Sequence, residues 1–174
     1  MPALRSQTCS RGWTSSGSAT TRSGVEQDQT IEIPRVFFDA AVLIAGAASR
    51  SGAGRLLLKA AELGLVTGIT SAQAVAEARR NLEAKLPGAG CAFEQLLSAC
   101  VTAAGDPAVA AEAQLAGQAD SKDLPILAAA VENGAHFLVT FNIRHYSLAT
   151  ERPRVTRPGD LLRAIRGRLS GLLR

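Results

Sequence analysis

Sulfur and aromatic rings are scarce in this chain: three cysteines, one methionine, and an aromatic content of 4% over 174 residues. Cys9, Cys91 and Cys100 cannot all pair, and neither a CxxC motif nor a cysteine-histidine cluster occurs. A disulfide framework and structural zinc are therefore not expected, and a reducing compartment fits best. So few rings also argue against an extended base-stacking platform. No apolar run reaches the roughly eighteen residues of a membrane span. From Met1 to about Gln29 the sequence is rich in Ser, Thr and Gly and lacks the apolar centre of a secretory signal, so a cytoplasmic location is the expectation. GxGxxG after the first strand, GxxxxGK[ST], HExxH and GxSxG are all missing, and Gly52-Ala53-Gly54 is too little for a nucleotide site.

What is present is enough apolar sequence for a core. With 47% hydrophobic and 20% charged residues, the chain suits one globular domain with tails. Residues 1–33 are expected to be a disordered extension with little apolar area to offset chain entropy. The domain is placed at 34–168, followed by a basic tail at 169–174. The net charge of +4 is uneven: residues 144–174 hold eight basic and two acidic groups. Such an arginine-rich end either steers a polyanion or is an ordinary solvated tail.

Val36-Phe37-Phe38-Asp39 reads as a buried strand ending on a carboxylate. The stretch Ala40–Ala48 is made of small residues, and Gly52–Leu63 has a helical stripe stopped by Gly64. Leu65–Ile69 is a second strand candidate, and Thr70 or Ser71 can cap a helix to about Lys85, stopped by Pro87-Gly88. Further helices are expected over Cys91–Val101 and over Pro107–Ala116, the latter capped by Asp106. In the next helix Leu124, Leu127, Ala128 and Val131 share a face, and Asn133-Gly134 closes it. His136–Thr140 is another buried strand, Val155 marks a short one, and Pro158 to about Arg168 a terminal helix. Short apolar strands separated by helices predict an α/β fold with a mostly parallel sheet covered on both faces, with a mostly helical domain as the alternative.

Four polar residues stand at or near element ends. Asp39 lies just past a strand, where open parallel sheets place ligand sites, although capping the next helix would also explain it. Glu77 lies inside a helix off its apolar stripe, as a solvent-facing glutamate would. Asp123 begins a helix beside Asp120, Ser121 and Lys122, and helix-end electrostatics alone would favour an acid there. Asn142 offers a carbonyl oxygen but is also a common turn residue. His145 nearby establishes neither a base nor a ligand by itself. If the four share one site, a divalent cation is the natural occupant.

The order of these motifs resembles the PIN domain family of small metal-dependent nucleases, which includes toxins of bacterial toxin-antitoxin pairs. The resemblance runs from about Pro34 to Ile165. It rests on Val36–Ile44, on Glu77, on Lys122–Ala130 and on Leu138–Asn142. Two departures stand out: Ala41 where the family often has Asn or Ser, and Asn142 where it usually has Asp. The resemblance implies a PIN-like three-layer α/β/α fold, with Asp39, Glu77 and Asp123 converging to bind Mg²⁺ or Mn²⁺. Thr140 and Asn142 would then orient water or a phosphate oxygen. The implied reaction is hydrolysis of RNA phosphodiesters, with Lys122, Arg144, Arg152, Arg154 and Arg157 on backbone phosphate. A homodimer and an antitoxin partner are implied as well. A non-catalytic nucleic-acid-binding or interaction protein with a weakened site, and a DNA or flap nuclease, are the alternatives.

Overall fold

The computed structural model describes residues 32–149 and 151–171. Most of the expected N-terminal extension, residues 1–31, and the last three residues of the expected tail lie outside the described residues. Five parallel strands form one sheet in the order β3-β2-β1-β4-β5: β1 (Arg35–Phe38), β2 (Thr67–Ser71), β3 (Thr102–Ala104), β4 (Phe137–Val139) and β5 (Arg154–Thr156). The helices are α1 (Ala40–Ala48), α2 (Ala53–Glu62), α3 (Ala72–Lys85), α4 (Gly90–Cys100), α5 (Val109–Gln114), α6 (Leu124–Glu132) and α7 (Pro158–Gly171). The sheet and its flanking helices settle the fold as α/β rather than mostly helical.

The chain steps from β1 outward to β2 and β3, then crosses back to β4 and β5 on the other side of β1. Right-handed crossovers put helices on one face for the outward steps and on the opposite face for the return. The contacts agree: α1 packs on α2, α3 and α4, with α7 on α2, whereas α5 pairs with α6. This gives three layers. A strand at the centre of such a stack is covered on both faces, so it needs a continuous apolar run rather than alternation. Val36, Phe37 and Phe38 meet that need and are fully buried.

Several boundaries differ from the sequence expectations. The strand expected at Leu65–Ile69 begins at Thr67, because Gly64 turns the chain with φ +72 and leaves Leu65 exposed before Val66 buries. The small-residue stretch Ala40–Ala48 is a full helix, as its alanine content favours. Strand β3 was not anticipated; it is short, Ala-rich and largely exposed at the sheet edge. Asp106 does not cap α5, whose N-cap is Ala108; its Oδ1 accepts from the Gln73 amide at the start of α3. The terminal helix continues to Gly171, past Arg168.

Ser71 does cap α3, its Oγ accepting from the Ala74 amide at 3.1 Å in a buried position. Ser71→Ala is expected to lower stability by about 1 kcal/mol, readable as a lower urea midpoint with unchanged slope. An unchanged midpoint would show that the cap contributes nothing.

Candidate metal centre

The strand order reverses between β1 and β4, and ligands of open parallel sheets bind in the crevice outside the carboxyl ends of the strands at that point. Asp39 ends β1 and Thr140 follows β4, so both stand at this crevice. Two hydrogen bonds tie Asp39 to the end of β4. The Asp39 amide donates to the Val139 carbonyl at 3.1 Å, and the Thr140 hydroxyl donates to Asp39 Oδ2 at 2.7 Å. Asp39 is the N-cap residue of α1 by position, but its side chain makes no cap hydrogen bond. The Thr140 hydroxyl thus holds one oxygen of the carboxylate at the crevice.

Asp39 is 8% exposed, and burial raises its pKa above the ordinary carboxylate value. The Thr140 hydroxyl and the Ala40 amide work against that rise, while the charges of Glu77 and Asp123 add to it. Glu77 and Asp123 are thus near enough for their charges to bear on Asp39. Glu77 lies on α3, exposed beside the buried Ala74, Val75, Ala78 and Leu82 of the same helix.

Asp123 belongs to a tighter group. Among the described residues, Asp120, Asp123 and His145 have ligand atoms within 4.8 Å of one another; Asp39 and Glu77 are not in that set. His145 Nδ1 lies 2.8 Å from Asp123 Oδ2 and 3.6 Å from Asp120 Oδ2. The turn before α6 presents both acids on one side, with the Asp123 and Leu124 amides donating to the Asp120 carbonyl. A second loop is clipped against this turn: the Asp120 amide donates to the His145 carbonyl, Ser147 to the Gln118 carbonyl, and Ala119 bridges Tyr146. Two carboxylates and an imidazole make a mixed oxygen and nitrogen donor set, suited to a first-row divalent cation such as Mn²⁺. Mg²⁺ would lean more on the two carboxylates. The residues present fit a divalent metal.

Tyr146 was missed in the sequence. Its hydroxyl is buried without a protein hydrogen-bond partner, and burial pushes its pKa up, reinforced by Asp39, Asp123, Glu77 and Asp120. The phenol therefore stays protonated as a neutral neighbour of four acids. Asp120 was read only as part of an acidic run and His145 only as an isolated histidine. The cue that joins them, proximity of two loops 22 residues apart, is invisible along the chain.

The remaining candidates divide by edge. Asn142 is exposed, and its backbone amide donates to the Thr140 hydroxyl. Arg144 in the short 3₁₀ turn Ile143–His145 and Arg157 after β5 stand toward the same edge as Asp39. Lys122 is exposed and forms no ion pair among the described residues. Arg152 and Arg154 precede or begin β5, at the opposite edge of the parallel sheet. Among the described residues no helix is long and apolar enough to cross a membrane.

A family model described as the PIN domain matches residues 35–144. No curated protein matches the chain.

Proposed function

The chain belongs to the PIN domain family, and from that premise we propose that it is a metal-dependent ribonuclease that hydrolyses phosphodiester bonds of single-stranded RNA. The observation that carries this reading is the buried Asp39 carboxylate, fixed by Thr140 at the switch point and repelled by Glu77 and Asp123. A buried acid whose ionisation two neighbouring charges oppose gains from a cation.

In this reading Asp39 and Asp123 hold Mg²⁺ or Mn²⁺ directly, and Glu77 does so directly or through water. When bound, the metal polarises the phosphate, promotes water as nucleophile and stabilises charge on the leaving oxygen. Thr140 keeps the Asp39 carboxylate turned into the crevice, and Asn142 orients water or a phosphate oxygen at its rim. Lys122, Arg144 and Arg157 attract backbone phosphate, which adds affinity without base specificity. By likeness to the family, the reading extends to the toxin of a toxin-antitoxin pair, acting in the cytoplasm as a homodimer and held in check by an antitoxin protein.

The test is cleavage of a defined single-stranded RNA by the full chain with Mn²⁺ and with EDTA, beside Asp123→Asn. Mn²⁺-dependent cleavage lost in the variant is expected. RNA binding without cleavage, unchanged by the substitution, would replace the proposal with a non-catalytic binding protein. Preference for a DNA flap would move it to a DNA nuclease.

Thr140→Val keeps the shape but removes the donor to Asp39 Oδ2. Divalent affinity is expected to fall about 10–100-fold, as when the partner of a metal ligand is removed. Calorimetric Mn²⁺ titration reads this directly, and equal affinity would deny Thr140 its positioning role.

A further inference from the structure

At the opposite end of the strands from Asp39 lies a cavity of about 620 Å³ into which Arg152, Arg154 and Arg168 project. We propose that this cavity binds phosphate groups of a nucleic-acid strand, at a site separate from the carboxylate cluster. Its floor is set by the sheet register, which pairs Phe137 at the start of β4 with Arg154 at the start of β5. The rise from Phe137 to Thr140 is roughly 10 Å, so the cavity and the carboxylates occupy opposite edges of one sheet.

Its chemistry is not that of the metal centre. Arg154 and Arg168 form no ion pair among the described residues. Their guanidinium forks match the paired oxygens of a phosphate. Two carboxylates, Glu32 and Glu151, also line the space. Glu32 is met by His136 Nε2 at 3.2 Å, and His136 Nδ1 accepts from the Arg35 amide at 3.0 Å, so the imidazole proton lies on the Nε2 side facing Glu32. Acceptors interleaved with arginines suit a strand that alternates anionic phosphates with hydroxyl-bearing riboses. The volume falls within the range of small-molecule and cofactor pockets.

The experiment measures binding of a fluorescein-labelled single-stranded RNA to the full chain in EDTA, where cleavage plays no part and failure of the ribonuclease reading cannot imitate failure here. Arg154→Gln with Arg168→Gln is expected to weaken binding about tenfold and to reduce the slope of log K against log salt by about 1.4, two phosphate contacts on a single strand. Arg154→Lys with Arg168→Lys should retain most of the slope, and matched thermal unfolding should show that both variants fold. Competition by tripolyphosphate separates the sources: displacement of RNA from wild type by millimolar tripolyphosphate identifies phosphate alone as sufficient, and its failure identifies the ribose-phosphate strand. RNA affinity and slope unchanged in the Gln variant would overturn the proposal. So would polyglutamate binding as tightly as RNA and being lost in the same variant, which would assign the cavity to an acidic peptide.

Discussion

Asp39→Asn is expected to unfold at a higher temperature than the wild type in EDTA, yet to cleave RNA about 10³-fold more slowly with Mn²⁺. The two halves come from one cause. Burial, with the charges of Glu77 and Asp123, holds the Asp39 pKa above its ordinary value of 3.8. Such a group favours the folded state fully below the unfolded-state pKa, and that contribution is lost as pH rises through the raised folded-state value. At neutral pH the Asp39 charge is therefore disfavoured in the metal-free fold. Asparagine removes the charge while its side-chain oxygen still accepts from Thr140. The same change deletes a direct metal ligand, and losing about 4 kcal/mol of transition-state stabilisation corresponds to about 10³-fold in rate. Added Mn²⁺ should raise the unfolding temperature of the wild type more than that of the variant, since only a ligand of the folded state stabilises. A lower unfolding temperature in EDTA, or undiminished cleavage, would sink this account.

Gly68→Ala is expected to cost about 3 kcal/mol, at the upper end of the overpacking range. Gly68 lies in β2 opposite Val36 of β1. An added Cβ there would meet the Cys100 carbonyl oxygen at 2.3 Å, with Ala61 Cβ and the Phe38 ring each at 3.2 Å. The first obstacle is backbone at the end of α4, which cannot swing away as a side-chain tip can. Either β2 or α4 must shift, and the fully buried Phe38 ring closes the space on the other side of Gly68. For a domain near 150 residues the cost corresponds to a fall of about 6–12 °C in the unfolding midpoint. A variant melting with the wild type would mean that the strand has slack the packing does not reveal.

How much of this was legible along the chain depends on where the signal resides. Strands β1 and β4 were readable because central parallel strands must be apolar throughout, and Val36–Phe38 and Leu138-Val139 are. The Ser71 cap and the Gly134 stop were readable because each is a local backbone requirement met by one residue type. Strand β3 was not, since an exposed edge of three small residues has neither run nor alternation. The division of the arginines between two edges was equally hidden. Arg154 and Arg157 are three residues apart, but a strand lies between them, and only its direction tells which end each occupies. In the metal centre Asp39, Glu77 and Asp123 were named from motif order. Asp120 and His145 became visible only once two loops were seen to lie against each other.

The hydrogen bond from Thr140 to Asp39 spans 101 residues and has a consequence for a chain still being made. Strands β1 and β2 are adjacent in order, so they can pair while synthesis continues, and Asp120 and Asp123 follow in the turn before α6. None of that fixes Asp39 until the return crossover is complete and β4 has docked. His145 and Tyr146 arrive later still. The candidate cation-binding group therefore closes only after β4 has docked and the loop carrying His145 has followed it.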